Sequence, residues 1–288
     1  LAPYQNKNIH STKKNKKNKM VDMIKKYELS FKDQEKIFKY CKKIGIEFIS
    51  SPFDLKSAEF LIKKLKLKKI KVASGEINNY PLLNFLSKNK IEIILSTGMS
   101  NLQEIKNACK ILKSKKKIKK ITLLHCNTDY PTEHKDVNLL AMNLLKKKFK
   151  MSVGLSDHSI DNRSSLYAVS LGATIIERHV TLNKKMNGPD HRASLEFNHL
   201  KNLIDEINIL KKIHGKEKKF LTQSEKKNIR FARKVIVANK DILKGELFNE
   251  DNLTTKRSNK GINPMKWNKI VNKVRAKKNF FMDQEIKL

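Results

Sequence analysis

Short β-branched runs alternate along this sequence with longer amphipathic stretches, and that alternation is what most restricts the fold. Six short runs stand out, at 47–50, 70–73, 91–95, 121–124, 151–155 and 174–176. Between them, apolar residues recur with helical spacing at 55–65, 101–112, 138–149 and 161–171. Near-continuous apolar runs suit strands buried on both faces, and such strands, when parallel, need helical crossovers. The expected class is α/β. Strands recur about every 20 to 30 residues, close to the unit length of a (β/α)8 barrel.

An open doubly wound sheet could share that rhythm, but its functional residues would gather at one switch point. Here a polar cluster follows every strand: SSPFD (50–54), ASGE (73–76), STGM (96–99), HCNTDYP (125–131), LSDH (155–158) and ERH (177–179). Only in a barrel do all C-terminal strand ends face one mouth, so a TIM barrel is expected. Six units where eight are needed implies that the first two βα units, roughly sixty residues, are missing from this chain. The polar stretch 1–20 then reads as the loop after a lost strand, and a first residue of Leu1 fits a fragment. After the helical stretch 196–213, His214-Gly215 reads as a helix stop. The expected organisation is a partial TIM barrel over 1–215, a linker over 216–227 and a small β-rich module over 228–288. Its β-like pieces lie at 234–238, 245–248 and 279–282.

Composition narrows the function classes. The net charge is +35 over 288 residues, a balance that ordinarily suggests nucleic acid. Only seven of the 63 cations are Arg, however, and guanidinium is the preferred reader of phosphates and base edges. Scattered Lys mixed with Ile and Asn argues for solvated helix faces such as 115–120 and 146–148, and against a nucleic-acid partner. Three cysteines at unrelated spacings (Cys41, Cys109, Cys126) fit a reducing cytoplasm rather than a disulfide framework. No apolar run approaches the roughly 18 residues of a membrane span. GxGxxG, P-loop and HExxH motifs are all missing from the sequence, which counts against nucleotide-cofactor, P-loop and zincin chemistry.

His158 and His179 end consecutive strands, so parallel pairing brings their backbones within about 5 to 10 Å at one mouth. Two imidazoles there could share a divalent metal, with Asp157 and Glu177 as flanking acceptors, or each could be an ordinary hydrogen-bonded residue. Ser51, Ser74, Ser96 and Ser156 place hydroxyls at four strand ends, where they could converge on a phosphate beside Lys71. Each taken alone also reads as a turn former or N-cap. Strict alternation sends Lys71 and Ser74 to opposite faces, so both reach the mouth only if the strand ends or bulges between them. Tyr130-Pro131 and the segment around Asp190 read as mouth loops.

These motifs, together with VGLSDHSIDN, IIERHVTLNKKMNGPDHRASLE and KDILKGELFNEDNLTTKR, resemble the bacterial N-acetylneuraminate (sialic acid) synthases, in order from about residue 26 to the C-terminus. The resemblance implies a TIM barrel followed by an antifreeze-like (SAF) domain, in a domain-swapped homodimer. The implied reaction condenses phosphoenolpyruvate with N-acetylmannosamine, using Mn2+ or Mg2+. A related 2-acetamido sugar, as in legionaminic or pseudaminic acid synthases, or an inactive sugar-binding remnant, is the alternative. The family's metal ligands fall on His158 and His179, and its phosphoenolpyruvate contacts on Lys71, Ser51, Ser74, Ser96 and Ser156, with Asn127 or Thr128 at a further position. Its aldose contacts fall on Tyr130 and Asp190, its acid/base glutamate on Glu177, and its partner-capping arginine on Arg257. The family also uses a Glu, a Lys and a Gln from its first two strands, which this sequence lacks, and Ser258 replaces the usual Pro.

Overall fold

The computed structural model describes residues 25–188, 190–258 and 260–288, and the chain divides into two units at Gly215/Lys216. The stretch 1–20, expected as a loop, lies outside the described residues.

The first unit opens with α1 (Phe31–Ile44), capped by the Ser30 hydroxyl, which accepts from Asp33 N–H, and ending at Gly45 in the left-handed region. Asp54 caps α2 (Leu55–Glu59) in the same way, and the helix runs on into a π-helical turn, Phe60–Lys64. From there strand and helix alternate: β1 (Lys69–Val72), α3 (Tyr80–Ser87), β2 (Glu92–Ser96), α4 (Leu102–Lys113), β3 (Lys120–Cys126), α5 (Ala141–Phe149), β4 (Ser152–Asp157), α6 (Arg163–Ser170) and β5 (Ile176–Arg178). A short parallel pair, β6 (Val180–Thr181) with β7 (Leu195–Glu196), leads into α7 (Phe197–His214).

All five main strands pair in parallel, in the order β1-β2-β3-β4-β5. Sequential order without reversal, with crossovers of one hand, keeps the helices on one side of the sheet and leaves no switch point. The barrel expected from the sequence is therefore present as a curled five-stranded sheet, a half-barrel. The first run read as a strand, 47–50, differs from expectation. It is extended but joins β1 through a single backbone bond, Lys71 N–H to Ser50 O (3.3 Å), rather than through a continuous ladder.

Alternation divides each strand between two faces. Ile70, Val72, Ile93, Leu95, Ile121, Leu123, Val153 and Leu155 pack with helix residues such as Leu83, Leu112 and Leu145 into one core. The intervening positions, Lys71, Ile94, Ser96, Leu124, Cys126, Gly154, Ser156 and Glu177, share the opposite, concave face. Gly154 is required there: a Cβ would stand 2.4 Å from the Ile175 carbonyl oxygen and 2.8 Å from Leu124 Cδ2.

The second unit carries α8 (Gln223–Ala232), started by a capping box of Thr222 and Glu225 within the expected linker. β8 (Lys234–Ala238) pairs antiparallel with β9 (Leu253–Arg257), and α9 (Trp267–Ile270) follows. The β-like pieces at 245–248 and 279–282 make isolated bridges, Leu247 with Arg275 and Ile242 with Phe280, instead of strands. Ile236, Phe248, Leu253, Phe280 and Ile286 form a core of their own. β9 was not legible because LTTKR carries no apolar alternation, and its Leu253 alone anchors it in that core.

Gly154→Ala should lower folding stability by about 1–3 kcal/mol, the range for overpacking a tight interior. Thermal unfolding tests this, and an unchanged Tm would show that the backbone entering β5 gives way freely at Ile175.

Candidate active site

The C-terminal ends of the strands surround a cavity of about 400 Å³. It is lined by nine of the residues singled out in the sequence: Ser51, Lys71, Ser74, Ser96, Tyr130, Ser156, Glu177, His158 and His179. The parity conflict between Lys71 and Ser74 is settled by the backbone. β1 ends at Val72, and Ser74 opens a 3-10 turn, so the alternation no longer applies.

Glu177 is the electrostatic centre of the cavity. The register sets Ser156 beside it, and the Ser156 hydroxyl donates to Glu177 Oε1 (2.6 Å). Lys71 Nζ, reaching from the far edge of the sheet, donates to the same oxygen at 3.0 Å. Burial alone would raise the Glu177 pKa, but the Lys71 charge and the two hydrogen bonds outweigh it and hold the carboxyl below its ordinary value. Glu177 is thus an anion at neutral pH, equipped to accept a proton rather than donate one.

Opposite stand the two imidazoles, with ring centroids 5.2 Å apart, and the Tyr130 ring, 4.0 Å from His158 and 5.4 Å from His179. The His158 tautomer follows from its partner. Nδ1 lies 2.6 Å from the Asn127 carbonyl, which can only accept, so Nδ1 carries the hydrogen and Nε2 the lone pair. Ser156 Oγ lies 3.4 Å from Nε2 but gives its hydrogen to Glu177. Burial, only partly offset by the Asn127 bond, pushes His158 down to about 4, and burial also lowers His179 despite the nearby Asp190 and Glu177 charges.

A third group of side chains closes on the main chain of Gly98. Its N–H donates to Ser74 Oγ (3.1 Å), which lies 3.1 Å from Cys126 Sγ. A Cβ on Gly98 would meet Thr128 Oγ1 at 2.5 Å and both Cys126 Sγ and Ser74 Oγ at 2.8 Å, so no larger residue fits. Two buried hydroxyls of the cavity wall, Ser96 Oγ and Thr128 Oγ1, have no hydrogen-bond partner among the described residues. Buried polar atoms are ordinarily paired, and a ligand or an ordered water at this wall would complete these two.

Two expected residues of the first unit, Asn127 and Asp190, do not line the cavity. The Asn127 amide donates to the Asp136 carbonyl (2.7 Å), and only its backbone oxygen serves the site; its neighbour Thr128 takes the place on the cavity wall. Asp190 lies beside His179, with Oδ2 3.8 Å from Nδ1. Arg257 is the last residue of β9 in the second unit. Asp157, read as a flanking acceptor for the imidazoles, turns instead to the helix side of the sheet. There it pairs with Arg178 (2.6 Å) and accepts from Ser159 and Ser165, because its position shares parity with Val153 and Leu155. Cys126, Phe53 and Met99 were not singled out, although Cys126 follows from alternation with Leu124.

Among the described residues no group of three or more His, Cys, Asp or Glu side chains is arranged to hold a divalent cation. Two neutral imidazoles, one with its Nδ1–H bonded to a carbonyl and its Nε2 lone pair kept, suit a catalytic ion whose other positions go to water and substrate. The residues fit such an ion and would not by themselves cage a structural one.

The NeuB family model matches residues 2–219. The chain belongs to the NeuB family. A SAF domain model matches residues 233–281 of the same NeuB-family chain. It is 47% identical, over 99% of its length and 84% of the relative's, to the N,N'-diacetyllegionaminic acid synthase of Campylobacter jejuni. The pseudaminic acid synthase of that species is 34% identical over 91% of this chain and 75% of its own length. Among solved structures, the N-acetylneuraminic acid (sialic acid) synthetase of Leptospira borgpetersenii, in complex with citrate, is 34% identical, with a TM-score of 0.69 and 74% of each chain covered. Among the described residues, no helix of this NeuB-family chain is long and apolar enough to cross a membrane.

In Lys71→Met, Glu177 keeps its burial and loses the cation that offsets it, so its pKa should rise and the carboxyl should protonate at higher pH than in wild type. Carboxyl 13C NMR titration reads this directly, and an unmoved Glu177 resonance would show that Lys71 is not the cause of the depression.

Proposed function

We propose that this chain condenses phosphoenolpyruvate with the open-chain form of a 2-acetamido aldose and releases phosphate. The observation that carries the reading is the pair of buried, unpartnered hydroxyls, Ser96 Oγ and Thr128 Oγ1, on the wall that Lys71 and Ser74 also line. A small dianion with several acceptor oxygens is the kind of ligand that such a wall of hydroxyls beside a lysine suits.

In this reading Lys71, Ser51, Ser74, Ser96, Ser156 and Thr128 hold phosphoenolpyruvate, and Tyr130 and Asp190 face the sugar near His179. A divalent cation, Mn2+ or Mg2+, held by His158 and His179, would supply Lewis acidity at the aldehyde oxygen. Fixed orientation sets C3 of phosphoenolpyruvate toward the aldehyde carbon. The new carbon–carbon bond leaves positive charge at C2. The former aldehyde oxygen is left as an alkoxide; water adds at C2 and passes one proton to the Glu177 carboxylate, which delivers it to that alkoxide. The tetrahedral species then breaks its C2–O(phosphate) bond, becoming a C2 carbonyl as its hydroxyl proton leaves with the phosphate.

For the sugar, 47% identity to a synthase of N,N'-diacetyllegionaminic acid favours an aldose bearing two acetamido groups. N-acetylmannosamine, giving N-acetylneuraminate, is the second reading, supported by the Leptospira synthetase.

Phosphate release from phosphoenolpyruvate, measured with Mn2+ across a panel of 2-acetamido aldoses, should require the sugar and run fastest with the diacetamido compound. Fastest turnover of N-acetylmannosamine would select the second reading, and no release with any member would overturn both. Ser96→Ala should leave folding stability within about 0.5 kcal/mol, since it removes a hydroxyl with no described partner. It should raise the phosphoenolpyruvate KM about tenfold or more, as loss of a hydrogen bond to a charged group does. An unchanged KM would place the anion elsewhere.

A further inference from the structure

We propose that the buried Asp157–Arg178 ion pair is a positioning pair, fixing the gap between the His158 and His179 imidazoles so that both reach one divalent cation. The inference rests on the reading of those imidazoles as a cation site.

Asp157 ends β4, Arg178 ends β5, and the register sets them opposite each other. Each is the residue immediately before one of the imidazoles. Their side chains are 1% and 4% exposed, with Arg178 Nη1 2.6 Å from Asp157 Oδ2. Asp157 Oδ1 accepts from the Ser159 N–H (2.8 Å) and hydroxyl (2.7 Å), Oδ2 accepts from the Ser165 hydroxyl, and Arg178 Nη2 donates to the Ser159 carbonyl at 2.9 Å. The turn after His158 is thereby bonded to the strand that carries His179. The Tyr130 loop is tied to the same turn: Thr132 N–H donates to the His158 carbonyl (2.9 Å), and Thr132 bridges to Ser159.

Stability is a poor reason for this pair. It lies on the helix-side parity, where Val153, Leu155 and Ile176 precede it and apolar residues would continue the core. Arg178 Nε and Nη1 are both buried without a hydrogen-bond partner among the described residues, so Nη1 meets Asp157 as a close ion pair and not as an aligned hydrogen bond. A buried ion pair generally stabilises no better than apolar residues of similar volume. What apolar packing lacks is direction. An ion pair at 2.6 Å, with Asp157 hydrogen-bonded to Ser159 and Ser165 and Arg178 to the Ser159 carbonyl, holds the ends of β4 and β5 in one relative position, and the 5.2 Å separation of the ring centroids depends on that position.

The test uses the full chain and Mn2+ alone, titrated by the loss of the free-ion EPR signal, with thermal unfolding alongside. Arg178→Lys keeps the charge and gives up the planar fork that holds Asp157 and Ser159 together. The double variant Asp157→Leu/Arg178→Met restores an apolar core. Both should fold, the double variant with a Tm near or above wild type, and both should bind Mn2+ about 10- to 100-fold more weakly, the range for loss of groups that orient metal ligands. Affinities within twofold of wild type in both variants would overturn the positioning role while leaving the cation site standing. Absence of Mn2+ binding by wild type would instead overturn the cation site and this inference with it.

Discussion

The parallel register of β1 to β5 is the constraint on which the site depends. Because strands of one direction are joined by helices on one side, every second side chain is forced into the helix-packed core and its neighbours onto the concave face. Lys71, Ser96, Cys126, Ser156 and Glu177 occupy that face in register, which is how a lysine on β1 meets a glutamate on β5. A slip of one residue in any strand would bury these groups among leucines and isoleucines, at a penalty no hydrogen bond in the cavity could offset.

Within that frame the cavity has two electrostatic characters. Its Glu177 end is kept charged by Lys71 and Ser156 in spite of burial, whereas its histidine end is kept neutral by burial in spite of nearby carboxylates. One end therefore accepts protons and the other offers nitrogen lone pairs, a division suited to chemistry that joins an anion to a polarised carbonyl. The global charge plays little part in this. Lys146, Lys147 and Lys148 lie exposed in the last turn of α5, where cations complement the helix dipole. Lys115 to Lys117 sit exposed in the turn between α4 and β3 rather than on a helix face.

Much of this was legible in the sequence. The five strands after the first run, three of the four helices between them (α4, α5 and α6, but not α3) and nine cavity residues follow from periodicity and from the polar cluster that ends each run, because alternation and parallel pairing are local rules with one geometric outcome. The misses have a common origin in contacts remote along the chain. The run 47–50 has strand composition, yet a ladder needs neighbours, and it meets β1 at one bond. Asn127 and Thr128 are adjacent polar residues in a loop, where no period says which faces inward. Asp157 looked like a partner for histidine until strand parity gave it to Arg178.

The sequence by itself determined the α/β rhythm, the gathering of polar residues at one end of the strands and the membership of two imidazoles in that end, since side-chain period and chain direction suffice for each. The tertiary structure decided which atoms meet. The Lys71–Glu177 contact, the His158 tautomer set by the Asn127 carbonyl and the two hydroxyls left without partners all depend on ångström-scale spacing between segments tens of residues apart. Hydrogen bonds and buried charges are short-ranged and directional, so their pairing is fixed only when packing has set those distances.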